Sequence, residues 1–110
     1  LYLDDLRPCP KGFVLVRQAE ECLLLLRECE VDILSLDYDL GAGEPNGGDV
    51  AAAIVSERLY PRAIYLHTSS DAGRMRMFQM LYSNKPEGVA VYPGPVTPEL
   101  LSQLAQTANR

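Results

Sequence analysis

The chain has 110 residues, enough for one domain with a single hydrophobic core but not for two. Its 47% hydrophobic content is typical of a globular protein, and no apolar stretch approaches the roughly 20 residues of a membrane span. With 15 acidic and 10 basic residues the net charge is -5, which argues against a general nucleic-acid-binding surface. We therefore expect one cytoplasmic domain over residues 1–110, with no general DNA binding and no membrane association.

The three cysteines cannot all form disulfides, and they lack the spacing of a zinc site. Cys22 and Cys29 fall two helical turns apart on one predicted helix face, about 10 Å along the axis, which is too far for a disulfide within that helix. Because free cysteine is often buried, we expect reduced thiols in the core.

Hydrophobic patterning predicts five strands that alternate with four helices. The predicted strands cover residues 1–4, 13–16, 31–36, 63–67 and 89–92. The predicted helices cover residues 18–29, 50–59 and 74–83, followed by a closing helix that starts at Pro98 after the cap residue Thr97. This alternation favours a parallel sheet covered by helices on both faces.

Two of the helix starts carry specific cap predictions. Residues 40–48 contain four glycines and a proline and are predicted to form a loop, so Asp49 is the expected N-cap of the second helix. Ser69, Ser70 and Asp71 are all good cap residues for the third helix, although Gly73 weakens its first turn.

The connection between the first two strands is unusually short. Only about eight residues separate them, whereas a parallel crossover normally needs a dozen or more and usually a helix. Either a tight loop makes the crossover, or the second strand is paired in some other way.

Carboxylates follow two of the predicted strands. Asp4 ends the first predicted strand and Asp5 follows it, and Asp37 follows the central strand. Because carboxyl ends of parallel strands meet at the edge where open α/β sheets bind ligands, we expect one polar pocket. Adjacent carboxylates repel unless a cation joins them, which favours Mg²⁺, with Ca²⁺ or Mn²⁺ as alternatives, over structural zinc. The other interpretation is that these acids cap loops or pair with Arg7.

His67, the only histidine, ends the fourth predicted strand. Next to a metal-bound phosphate its imidazole could act as a general acid or base. The alternative is a hydrogen-bonded structural histidine. Two roles are also possible for Asp39, which could join the pocket or bond to the glycine-rich loop.

Hydroxyl and arginine side chains around the third helix suggest phosphate binding. Thr68 and Ser69 precede a helix start whose backbone could hold phosphate oxygens, with charge from Arg74 or Arg76. Arg7 is a second candidate. The alternative is that Arg74 and Arg76 lie on the solvent-exposed face of the helix and bind no ligand.

This layout resembles the receiver domain of two-component signalling. Asp4 and Asp5 match that family's acidic pair after the first strand, and Asp37 matches its phosphoacceptor aspartate after the third. The Gly- and Pro-rich segment 40–49 matches the loop before its third helix, and 96–101 matches the entry to its last helix. The resemblance implies a flavodoxin-like α/β fold, with a mainly parallel five-stranded sheet in the order 2-1-3-4-5 and Mg²⁺ held by the three aspartates.

Three features depart from the receiver pattern. The first crossover helix is missing or shortened. Receivers have a small hydroxyl residue after strand four, where this sequence has His67 and Thr68. The lysine expected after strand five is missing, and Gly94 stands at or near its place. Without that cation, ordinary phosphorelay switching is disfavoured.

With these departures the chain looks like the cyclic-phosphate processing receiver-like group. The pattern Leu-Asp-Asp-x-Arg-x-Pro near the start matches residues 3–10 with the second proline offset, and Leu-Asp-His-Asp-Leu-Gly matches residues 36–41 with Tyr38 in place of the histidine. The group also has a His-Ser/Thr pair at the end of strand four, followed by Gly-Arg and Met, and residues 67–68 and 73–75 match these. Where the group has a turn that contains asparagine, this chain has Ser70-Asp71. Three separate segments thus agree in order.

The leading hypothesis is a single receiver-like domain that uses Mg²⁺ to process a phosphoester, such as the cyclic phosphate of a nucleotide or an RNA end, as a metal-dependent phosphodiesterase. The predicted catalytic residues are His67 and Asp37, the metal ligands are Asp4, Asp5 and Asp37, and the phosphate-binding residues are Arg7, Thr68, Ser69 and Arg74. The alternatives are a response-regulator receiver with phosphoacceptor Asp37, and a degenerate receiver that binds a protein partner or a second copy of the chain.

Overall fold

The structure, a computed structural model, describes residues 1–6, 9–41, 43 and 45–108. Its strands are β1 (Tyr2–Leu3), β2 (Leu15–Val16), β3 (Ile33–Leu36), β4 (Ala63–Leu66) and β5 (Ala90–Tyr92). They form a five-stranded sheet in the order β2-β1-β3-β4-β5, and every neighbouring pair is parallel. The flavodoxin-like α/β fold expected from the sequence is confirmed.

Four helices alternate with the strands: α1 (Ala19–Glu28), α2 (Gly47–Glu57), α3 (Asp71–Asn84) and α4 (Pro98–Ala108). Helix α2 contacts both α1 and α3, so these three pack side by side as one layer. The fourth begins as predicted, because the Thr97 hydroxyl accepts the backbone N–H of Leu100 (3.3 Å). No described helix has the length and apolar character needed to cross a bilayer.

Helices α2 and α3 begin earlier than predicted, because local side chains satisfy the first backbone N–H groups. The side chain of Asn46 accepts the N–H of Asp49 (3.0 Å), and the Asp49 carboxylate accepts the N–H of Asn46 (2.9 Å). This capping box makes Asn46 the N-cap, so the assignment of Asp49 to that position was wrong. In α3 the Ser70 hydroxyl caps the helix by accepting the N–H of Gly73 (3.1 Å).

A tight loop makes the connection from β1 to β2. The described residues between the two strands contain no helix. Parallel pairing is nevertheless present, since the N–H of Tyr2 donates to the carbonyl of Val14 (2.9 Å) and the N–H of Asp4 to that of Val16 (3.2 Å). Gly12 has φ +96°, and a Cβ there would come within 2.8 Å of the backbone of Leu104 in α4. The loop therefore packs closely against α4 where glycine alone fits.

The two faces of the sheet differ in polarity. Side chains alternate between faces along a strand. Leu34 and Leu36 of β3 and Ile64 of β4 are fully buried on one face. The other face carries Ser35, which is also buried, and Tyr65, which is partly exposed and stacks on Tyr92 of β5 at 4.6 Å between ring centroids. The apolar core thus lies on one side of the sheet.

The cysteines occupy three different environments, and all three are reduced. Cys22 is fully buried in α1, as expected, but Cys29 is exposed because α1 ends at Glu28 and Cys29 caps it. The expectation that the core takes up both thiols was therefore wrong for Cys29. Burial raises the pKa of the Cys22 thiol to about 12.

A thiol reagent applied to the native protein at pH 8 should modify Cys29 rapidly and Cys22 only as fast as the domain opens. The unfolded protein should react at all three cysteines, and Cys29→Ser should remove the fast phase and leave the slower reaction of the half-buried Cys9. Because the folded state keeps the Cys22 proton that the unfolded state loses above its ordinary pKa of 9.0, stability should fall as pH rises from there towards 12. Rapid labelling of Cys22 in Cys29→Ser would contradict this assignment.

Candidate metal and phosphate site

The register of the parallel strands aligns the residues that follow them. Leu3 of β1 pairs with Leu36 of β3, which pairs with Leu66 of β4. The next residues, Asp4, Asp37 and His67, therefore stand side by side at the carboxyl edge. Backbone bonds hold them there, since the N–H of Asp37 donates to Leu3 (3.1 Å) and that of His67 to Leu36 (3.1 Å). We call this set of three the strand-end row.

The strand-end row is buried and compact. Asp4 is 1% exposed, and Asp37 and His67 are each 7% exposed. One carboxylate oxygen from each aspartate and one imidazole nitrogen all lie within 4.8 Å of one another. Two carboxylates at this spacing away from bulk water repel strongly unless a cation or a proton joins them. The structure therefore brings together two of the three predicted metal ligands with the predicted catalytic histidine.

Both ring nitrogens of His67 face protein groups. Its Nε2 lies 3.0 Å from Oδ2 of Asp4, and its Nδ1 lies 2.6 Å from the Ser35 hydroxyl. The ring of Tyr2 stacks on the imidazole at 4.2 Å, nearly parallel. To make these contacts, the His67 side chain crosses β3 and reaches from β4 to β1.

A cavity of about 570 Å³ opens at the same edge of the sheet. The lining residues are Asp4, Asp5, Leu6, Asp37, Asp39, Gly41 and Ser69. Asp5, the third predicted metal ligand, is half-buried there, and Asp39 also lines the cavity. Four of the described lining residues are therefore aspartates.

Tyr38 and the start of α2 fix the backbone that carries Asp37. The N–H of Gly47 donates to the carbonyl of Tyr38 (2.7 Å), and the Asp37 carboxylate accepts the N–H of Tyr38 (2.8 Å). The ring of Tyr38 lies against Gly73 of α3, where a Cβ would come within 2.4 Å of the ring carbons. The absence of a side chain at Gly73 thus makes room for Tyr38.

The predicted phosphate-binding residues are scattered. Arg7 lies outside the described residues. Ser69 lines the cavity, whereas the Thr68 hydroxyl is buried and accepts the N–H of Ser70 (3.1 Å). The Arg74 guanidinium donates to Asp71 one turn earlier in α3 and is not part of the described cavity lining.

Two neighbours of the site were not identified from the sequence. Ser35 lies in an apolar strand, where a serine hydroxyl is not by itself a sign of function. Only its position, two residues before Asp37 on the same face, could have marked Ser35 as part of the site. Arg17 follows β2 directly, next to Asp4 in the register, and its guanidinium donates to the backbone carbonyl of Asp4 (3.4 Å). The rule that located the aspartates, inspection of the residue after each parallel strand, would also have located Arg17.

A family model for the cyclic-phosphate processing receiver domain matches residues 1–83. The chain belongs to this family. The matched range contains all three residues of the strand-end row and the whole lining of the acidic cavity. No curated protein and no solved structure matched significantly.

This receiver domain differs from phosphorelay receivers after β5. Gly94 occupies the region where their lysine is expected, and its carbonyl accepts the N–H of Leu66 (3.0 Å), which extends the sheet. The chain has only two lysines. Lys85 follows the last residue of α3, away from the capped start of that helix, and contacts Tyr82. Lys11 is exposed on the β1–β2 loop.

The donor atoms of the site suit a hard divalent cation. Mg²⁺ binds oxygen at about 2.1 Å and Ca²⁺ at about 2.4 Å, so two oxygens on one ion lie at most roughly 4 to 5 Å apart. The carboxylates of Asp4 and Asp37 already approach this spacing. Asp5 lines the same cavity and offers a third carboxylate. The residues present therefore fit such an ion.

Replacing Gly73 with alanine should destabilise the domain, because the new Cβ would overlap the Tyr38 ring. We expect a loss of about 1 to 3 kcal/mol in the free energy of unfolding, typical of overpacking, as measured by urea denaturation. Gly94→Ala is the matched control, since nothing lies within 4 Å of its Cβ position, and it should change stability by less than about 0.5 kcal/mol. Equal stabilities of the two variants would contradict the Tyr38 contact.

Proposed function

We propose that this domain binds a divalent cation, Mg²⁺ in the first instance, through Asp4, Asp5 and Asp37, and processes a cyclic phosphate of a nucleotide or an RNA end. The observation that carries the proposal is the buried pair formed by Asp4 and Asp37, whose oxygens lie within ligand spacing at the edge of a cavity. Membership of the cyclic-phosphate processing receiver family supports the substrate class.

Electrostatics makes the cation necessary for this activity. A phosphodiester is an anion, and the cavity is lined by four carboxylates, so the two repel each other in the absence of a positive charge. A divalent cation, when bound, supplies a Lewis acid that polarises the phosphoryl oxygen and neutralises the carboxylates. Removal of the metal should therefore weaken substrate binding.

The remaining cavity residues would orient the substrate. Ser69 is exposed in the lining and precedes α3, so its hydroxyl would donate to phosphate oxygens. The backbone N–H groups of Ser70 and Gly73 are already bonded to Thr68 and Ser70 at the helix start. Leu6 is 83% exposed at the same cavity and offers an apolar contact. The volume of about 570 Å³ lies within the range of small-molecule sites.

The charge distribution weighs against the phosphoacceptor alternative. An acyl phosphate on Asp37 would need a cation to hold its oxygens, and Gly94 supplies only a backbone carbonyl, already bonded to Leu66. Arg74 is bonded to Asp71 instead of reaching the cavity. Retention of the acidic cluster weighs equally against a module that only recruits a partner.

Mg²⁺ should raise the melting temperature of the native protein. At about 100 times the dissociation constant, a ligand that binds only the folded state stabilises it by about 2.7 kcal/mol, which corresponds to several degrees. Asp37→Asn should abolish the shift, because it removes one of the two buried carboxylates proposed to hold the ion. Asp32→Asn is the control, since Asp32 is exposed and precedes β3 at the opposite edge. Loss of the shift in Asp32→Asn, or no shift in the unmodified protein, would contradict the site.

Turnover should be measured with 2′,3′-cyclic AMP, 3′,5′-cyclic AMP and an RNA oligonucleotide that ends in a 2′,3′-cyclic phosphate. We expect metal-dependent hydrolysis of at least one of them, lowered at least about 100-fold by Asp37→Asn and unchanged by Asp32→Asn. In parallel, acetyl phosphate and mass spectrometry test for a phosphoryl adduct. A stable adduct on Asp37 without any turnover would favour the receiver alternative. If neither turnover nor an adduct is found, the interaction-module alternative remains.

A further inference from the structure

A chain of buried hydrogen bonds lies behind the acidic cavity. It runs from the Ser35 hydroxyl to Nδ1 of His67 (2.6 Å), and from Nε2 of His67 to Oδ2 of Asp4 (3.0 Å). Ser35 and Asp4 are each 1% exposed. Asp4 lines the cavity, but neither Ser35 nor His67 belongs to its described lining. The chain therefore approaches the cavity through Asp4.

The chemistry of the three groups fixes the direction of these bonds. A carboxylate that binds a cation is ionised and only accepts hydrogen bonds, so in the metal-binding form Nε2 of His67 carries the proton that faces Asp4. A neutral imidazole then has a lone pair on Nδ1, and the Ser35 hydroxyl can donate to it. The stacked ring of Tyr2 restricts rotation of the imidazole out of this arrangement.

We propose that His67 is a positioning residue, held by Ser35 and Tyr2 in the Nε2–H form, that orients the Asp4 carboxylate for the cation. This inference rests on the proposed function, and it assigns to His67 a role that acts through Asp4 instead of proton transfer to substrate. Ser35 becomes a functional residue by the same reasoning. Hydrogen-bonded partners of metal-binding side chains commonly change metal affinity by about 10- to 100-fold when removed.

Substitution by glutamine separates positioning from acid or base catalysis. The terminal N–H group of glutamine can reproduce the donor of Nε2, whereas its amide cannot act as a general acid or base near neutral pH. Mn²⁺ affinity measured by calorimetry on the full chain should fall about 10-fold or more in His67→Ala and recover to within a few-fold of the unmodified value in His67→Gln. With an active substrate, His67→Gln should also retain most of kcat.

Ser35 provides a second pair of variants. Ser35→Thr keeps a hydroxyl and should bind Mn²⁺ nearly as well as the unmodified protein, while Ser35→Ala should bind it several-fold more weakly, because Nδ1 loses its donor. Ser102→Ala, an exposed serine on α4, is the control for loss of a hydroxyl. Equal affinities for Ser35→Ala and Ser102→Ala would overturn the role of Ser35.

The tautomer can be read in the unmodified protein, which avoids any loss of folding in a variant. Because His67 is the only histidine, its ring ¹⁵N resonances are unambiguous. We expect Nε2 protonated and Nδ1 unprotonated at alkaline pH, and the opposite tautomer would overturn the inference.

Failure of the two proposals can be told apart. No Mn²⁺ or Mg²⁺ binding by the unmodified protein overturns both the metal site and the positioning role. If the unmodified protein binds the metal but His67→Ala and His67→Gln lose affinity equally, only the positioning role is overturned. If His67→Gln binds the metal normally but loses all turnover, His67 is a catalytic residue and the positioning role is again overturned.

Discussion

The site depends on the register between parallel strands. Because Leu3, Leu36 and Leu66 are paired across β1, β3 and β4, the residues that follow them share one level, and two buried aspartates face each other from neighbouring strands. The leucines belong to the fully buried face of the sheet, so a one-residue slip would move them out of the core and the aspartates into it. The hydrophobic core and the acidic cavity are therefore specified by the same alternation of side chains.

The charge balance of the cavity separates this protein from phosphorelay receivers that share its fold. The cluster of aspartates is present, while the region after β5 contributes the Gly94 carbonyl to the sheet instead of an ammonium group. Among the described residues, both lysines lie elsewhere, Lys11 on the β1–β2 loop and Lys85 after α3. His67 adds a polar connection from β4 to β1 that spans the intervening strand.

Much of the fold could be predicted, because strand-length apolar runs and cap residues are local signals. The strand-end rule also located Asp4, Asp5 and Asp37. It did not identify Ser35 or predict that the His67 side chain points towards β1. Both contacts depend on how far the imidazole reaches across the neighbouring strand β3. Asn46 was missed as a cap, since Asp49 has the same chemistry and only the backbone decides which residue lies outside the helix.

The outer strands of the sheet are β2, with two residues, and β5, with three. An edge strand normally leaves a row of backbone N–H and C=O groups that another chain can pair with. Here so few such groups are available that a foreign strand gains little by adding to either side. The brevity of these strands, together with Arg17 directly after β2 and Pro93 directly after β5, thus limits edge-to-edge pairing with another chain.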